Sequence, residues 1–221
     1  GGLSYTTFTQ TLDDLNVDLE NETVTAKVTV TNTGDVAGKS VVQLYAQTPY
    51  GAYETEHKVE KSAIAIVGYG KTGLLAPGAS ETVTVTVDKY LLASYDVTAN
   101  NGEGGYILSE GSYYLAIGDD AHDALNNVLA ARGVTGMFDA EGNAVSGDAA
   151  KAQKVTLTET DNVTYAVSPQ TGEVVANLFE DRDINHFIPD TVTYLTRSDW
   201  NTFPETVTTL TATPEIQNLM E

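Results

Sequence analysis

The sequence predicts an all-β sandwich, and three observations carry that expectation. Several segments alternate apolar and polar residues with a period of two, the pattern of a strand buried on one side. Glycine, proline and asparagine turns punctuate them at short intervals. Strands do not alternate with long helical patterns, so βαβ units and a parallel sheet are disfavoured.

In chain order, Thr23 to Thr31 places Val24, Ala26, Val28 and Val30 on one face, and Asn32-Thr33-Gly34-Asp35 turns the chain. Ser40 to Gln47 alternates through Val42, Leu44 and Ala46. Pro77-Gly78 leads into Ser80 to Asp88, where Val83, Val85 and Val87 share a face. Ser112 to Gly118 is entered through Glu110-Gly111. Asp119 to Gly133 changes period: Asp119 or Asp120 suits a helix N-cap, Ala121, Leu125, Val128 and Leu129 fall near helical spacing, and Gly133 suits the end. Further strands are expected at Lys154–Thr158 and, as a hairpin around Ser168-Pro169-Gln170-Thr171-Gly172, at Val163–Val167 and Glu173–Leu178. After Asp181 the pattern loosens, with one more strand expected at Thr191–Leu195. Thr213-Pro214-Glu215 opens like a helix that the chain leaves after about two turns. Both ends therefore read as cuts from a longer chain.

The bulk numbers exclude several functions. Eleven basic residues against thirty-one acidic ones give a net charge of −20 over 221 residues. That charge repels nucleic-acid phosphates and anionic membrane surfaces, so neither is expected as a partner. No apolar run approaches the ~20 residues of a membrane span. There is no cysteine, which excludes disulfides, thiolate–metal sites and thiol catalysis, and fits a cytoplasmic or an exported protein equally.

Chemical-looking strings lack the surroundings that chemistry needs. Ala65-Ile66-Val67-Gly68-Tyr69-Gly70-Lys71-Thr72 satisfies a permissive phosphate-loop pattern, but Gly73-Leu74-Leu75-Ala76-Pro77-Gly78 follows where a helix must begin. The segment reads as strand and turn. Asp181-Arg182-Asp183-Ile184-Asn185 resembles the start of a calcium loop, yet His186 and Val192 stand where such a loop needs glycine and glutamate. A solvated acidic loop is the default, with weak calcium binding as the alternative. His57, His122 and His186 show no metal-ligand spacing, and no nucleophile elbow occurs. No catalytic residue, metal ligand or cofactor is assigned. Among twelve tyrosines, Tyr50, Tyr53 and Tyr69 bracket a loop segment and are the candidates for stacking on sugar rings.

Five strings occur in order: Gly2-Leu3-Ser4-Tyr5-Thr6-Thr7-Phe8, Val28 through Gly38, Val41-Val42-Gln43-Leu44-Tyr45, Val67 through Gly78, and Leu108 through Gly118. Together they resemble the fibronectin type III-like domain of family 3 glycoside hydrolases. The resemblance covers residues 2–118 and implies an immunoglobulin/fibronectin type III-like sandwich with one short helix and a C-terminal extension of extra strands and linker. It divides the chain into a sandwich at 1–180, with its core at 2–118 and elaboration at 119–180, and a linker at 181–221. It implies a bacterial β-glucosidase-like parent that cleaves β-linked sugars with retention, using a carboxylate nucleophile and a second carboxyl as acid. In that family the nucleophile lies in a string ending S-D-W on a (β/α)8 barrel. Ser198-Asp199-Trp200 repeats those letters, but a barrel takes about 200 residues or more, and this chain is committed to a sandwich. No catalytic role passes to Asp199. The expected role is a non-catalytic accessory domain whose partners are the catalytic domains of the same polypeptide. A carbohydrate-binding module, or an adhesive surface-protein sandwich, stands as the alternative.

Overall fold

The computed structural model describes residues 4–18, 22–198 and 201–202. The chain divides into two compact units, Gly1–Asn177 and Leu178–Glu221. In the first, the elements run β1 (Phe8–Asp18), β2 (Thr23–Asn32), β3 (Val41–Gln47), α1 (Ala52–His57), β4 (Ala65–Lys71) and β5 (Ser80–Asp88). They continue through β6 (Ser94–Asp96), β7 (Gly105–Ile107), β8 (Gly111–Ile117), α2 (Ala121–Ala131) and β9 (Ala152–Leu157).

All pairings between these strands are antiparallel. One sheet has the order β1-β2-β5 and the other β4-β3-β8-β9, with β6-β7 as a separate ribbon. The core lies between the two larger sheets. Val24, Ala26, Val28 and Val30 of β2 and Val83, Val85 and Val87 of β5 meet Val42 and Leu44 of β3 and Tyr113, Leu115 and Ile117 of β8. The other face of the first sheet is a ladder of hydroxyls: Thr25 faces Thr86, Thr29 faces Thr82 and Thr31 faces Ser80. Strand β1 carries a bulge between Leu12 and Asp14. There Asp13 accepts a hydrogen bond from Thr29 at 2.6 Å, and further along Gln153 Nε2 donates to the Leu15 carbonyl at 3.2 Å.

Strand β4 completes the second sheet and also closes on β5. Gly68 and Gly70 make this approach possible: a Cβ on Gly70 would stand 2.6 Å from a Val83 methyl. The would-be phosphate loop is this strand, and Thr72 after it accepts the Ser40 N–H on its hydroxyl at 3.0 Å.

Helix α2 packs on the outer face of β3, β8 and β9, where Tyr45 and Ala116 are buried. Asp120 is its N-cap, accepting from the Asp123 N–H at 2.9 Å, and Gly133 follows its end at φ +69°. Its buried side differs from the apolar spacing in the sequence. Ala121 is exposed, whereas Ala124, Asn126, Asn127 and Val128 are buried.

Other expectations are corrected. Helix α1, long β1 and the β6-β7 ribbon had no period to announce them. The hairpin expected across 163–178 reduces to one bridge, Val167 to Val174. That segment instead spends its packing on Tyr165, which enters the core edge-on to Tyr90 at 5.2 Å.

In the second unit, Glu180–Arg182 forms a 3₁₀ turn and α3 (Ile184–Phe187) follows. The strand expected at Thr191–Leu195 is absent; its backbone bonds to side chains instead, the Asn185 amide bridging both polar groups of Val192. The helix expected after Thr213 lies outside the described residues. Among the described residues no helix is long and apolar enough to cross a membrane.

Candidate functional site

The insertion from Tyr50 to Ala63 is the part of the sandwich with the most chemistry. Gly51 starts α1 and donates its N–H to Glu54 Oε2 at 2.7 Å. Lys61, after the helix, reaches back with its ammonium 2.6 Å from Glu54 Oε1 and 2.9 Å from the Ser109 hydroxyl. Both side chains are only 3% exposed. Burial opposes the charge on Glu54, yet the Lys61 ammonium, the Ser109 hydroxyl and the Gly51 N–H together outweigh it and hold the carboxyl below its usual range.

A second carboxylate anchors the same loop. Asp96, at the end of β6, is fully buried. It accepts Tyr53 Oη on Oδ2 at 2.7 Å, and the Thr98 N–H and hydroxyl on Oδ1, both at 2.7 Å. Burial opposes its charge as well, and these donors, Tyr53 foremost, lower its pKa on balance. The Thr98 proton is spent on Asp96, so at the 2.6 Å contact between Thr98 and His57 the imidazole Nδ1 is the donor. The His57 ring stacks on Tyr53 at 4.1 Å.

All four carboxylate oxygens of Glu54 and Asp96 thus hold protein donors. A retaining glycosidase needs two carboxyl groups facing open space for a sugar, about 5–5.5 Å apart. Here the pair fastens a loop.

The three candidate tyrosines come apart. Tyr53 is half-buried and committed to Asp96 and His57, and Tyr50 is half-buried at the loop entrance. Tyr69 is 75% exposed on the outer face of β4. The structure does not bring the three together on one sugar-facing surface.

The calcium-like string is also occupied. Asp183 caps α3 through the Asn185 N–H and accepts Tyr194 Oη at 2.6 Å, while Asp181 pairs with Arg182 at 2.9 Å. Among the described residues no group of three histidine or acidic side chains is placed to hold a metal ion. Asp199 and Trp200 of the S-D-W string lie outside the described residues.

Comparison with known proteins agrees with the motifs. Residues 40–121 match the fibronectin type III-like domain family. β-Glucosidase A of Butyrivibrio fibrisolvens is 36% identical over 138 residues, covering 55% of this chain and 16% of its own. A β-glucosidase of Ruminococcus albus is 35% identical over 124 residues, covering 56% and 12%. The solved β-glucosidase of Paenibacillus barengoltzii superposes with a TM-score of 0.52 at 28% identity, covering 72% of this chain and 15% of that one. Fungal relatives also match, among them a probable β-glucosidase I of Emericella nidulans, 42% identical over 100 residues.

The protein is thus a fibronectin type III-like β-sandwich. More particularly, residues 40–121 are similar to the fibronectin type III-like domain family, and the matched stretch is less than a fifth of the length of the β-glucosidases to which the chain is similar.

Proposed function

We propose that this chain serves as a non-catalytic accessory domain of a family 3 glycoside hydrolase. The parent hydrolyses β-glycosides with retention, and the sandwich supports and spaces its catalytic domains. The partners are those domains of the same polypeptide. Residues 1–180 form the accessory body and 181–221 lead toward a following domain. The observation that carries this reading is the match of residues 40–121 to a fibronectin type III-like domain, in a chain whose relatives here are β-glucosidases of which the aligned stretch makes up only 16% and 12%.

The test is direct. The isolated chain should not hydrolyse an aryl β-glucoside; turnover above background that vanishes in a single carboxylate variant overturns the reading. Sequencing the coding region on either side should reveal hydrolase domains, and a surface-adhesin context would overturn it equally.

A second reading is a carbohydrate-binding module. It draws on Tyr69, whose ring is exposed on the outer face of β4 where a sugar could stack on it. Glycan binding lost in Tyr69→Ala would favour it; glycan binding that survives would remove Tyr69 from consideration.

A further inference from the structure

Helix α2 covers part of the outer face of the second sheet and ends at Arg132. Tyr45 and Ala116, directly opposed on β3 and β8, are buried beneath it. The next outward row is Gln47 on β3, Tyr114 on β8 and Lys154 on β9, again directly opposed. Gln47 and Tyr114 are half-buried, and Lys154 is exposed.

This row holds Arg132 in place. Gln47 uses both ends of its amide: Nε2 donates to the Ala63 carbonyl at 2.9 Å, and Oε1 accepts from Arg132 Nη1 at 2.8 Å. The guanidinium carbon then lies 5.8 Å from the centre of the Tyr114 ring, whose electron-rich face attracts a cation. Lys154 brings a second cation to the same face, its Cβ about 5 Å from that of Tyr114 as in any directly opposed pair. Among the described residues neither cation pairs with a carboxylate. A chain with thirty-one acidic residues had carboxylates to offer this arginine. The fold gives it an amide and a phenol ring instead, which leaves both positive charges unspent.

We propose that this shelf binds a hexuronic acid, a sugar that carries a carboxylate. The planar fork of an arginine matches a carboxylate with two parallel N–H bonds, and with Nη1 committed to Gln47 the Nη2 and Nε protons serve it. Lys154 adds a point charge beside it. Ser112 and Thr156 are directly opposed two residues further along β8 and β9, on the same face. Two residues of strand span about 7 Å, comparable with one pyranose ring, so these hydroxyls meet the hydroxyls of the sugar. A neutral sugar would leave both cations unmatched, and a bare inorganic anion would leave the hydroxyls unused. The net charge of −20 opposes any anion at long range. At physiological salt that opposition is screened beyond about 8 Å, and the two cations set the local field. The site is separate from Tyr69 and independent of the accessory role, so its failure leaves both of those readings standing.

The test uses the whole 221-residue chain, ¹⁵N-labelled and titrated at constant salt with galacturonate, glucuronate, glucose, acetate and phosphate. At least one uronate should shift the Arg132 Nε–H resonance in a saturable way. Arg132→Gln and Lys154→Gln should each weaken its binding by about tenfold or more. Lys27→Gln, which removes an exposed cation from the outer face of the other sheet, should leave it unchanged. Absent or unsaturable shifts with both uronates overturn the proposal. So does binding of glucose, acetate or phosphate as tight as that of the uronates, or an equal loss in Lys27→Gln. If Arg132→Gln lowers the unfolding temperature sharply, the exposed Lys154→Gln variant and the Nε–H shift still decide.

Discussion

Along β2, four consecutive inward positions are fully buried and every one is valine or alanine. Along residues 51–61, the well-buried side chains include a glutamate and a lysine, 2.6 Å apart. The strand is held by area removed from water, which is non-directional and tolerant of small shifts. The loop is held by charge, which is directional and costly when broken. A buried pair contributes little against an apolar substitute of the same shape, but removing one partner strands the other. The two regions should therefore respond differently to the same kind of substitution.

The largest effect is expected from Lys61→Met, which leaves Glu54 charged and buried: about 3–5 kcal/mol of stability lost in denaturant unfolding. Adding Glu54→Leu should recover most of it, and a double variant no better than the single would show that the loop is not held as described. Next comes Leu44→Ala in the sheet, expected to cost about 3 kcal/mol through a cavity, with no second substitution of a charged group able to restore it.

Asp96→Asn should cost about 2 kcal/mol near neutral pH, because hydrogen bonds to a charged acceptor become neutral ones. The folded carboxyl titrates below its unfolded value, so its contribution is complete above that value, about pH 4, and fades as the pH drops through the folded one. The difference between parent and variant should thus shrink in acid. A penalty that stays constant with pH would contradict the assignment. Smallest of all is Thr25→Ala on the hydroxyl ladder, expected to stay within about 0.5 kcal/mol by the same unfolding measurement.

The same contrast explains what the sequence discloses. Strands β2, β3, β5 and β8 appear as alternation because each buries one face against the opposite sheet. The helix ends appear in Asp120 and Gly133. Glu54 and Asp96 do not, since their partners Ser109 and Tyr53 stand 55 and 43 positions away and only the folded topology brings them together. Asn126 and Asn127 fall outside the apolar spacing of their helix, and their burial follows from folded partners, Met137 for the first and Asp148 and Ile117 for the second. The hairpin across 163–178 misled because alternation there serves Tyr165 packing, while a five-residue turn signal fitted the flanks. Tyr69 was separable from Tyr50 and Tyr53 only once the glycines beside it were seen to face β5.

The bulge in β1 has a consequence for how copies of this chain behave toward one another. An open rim of a sheet is a template on which further strands can polymerise. Here the kink between Leu12 and Asp14 breaks the straight run, Asp13 and Asp14 stand exposed beside it, and the Leu15 carbonyl already accepts from the Gln153 side chain. A second molecule adding a strand would have to flatten the kink, approach two like charges and displace that glutamine. The rim is a stop signal against fibril growth, written in three consecutive residues.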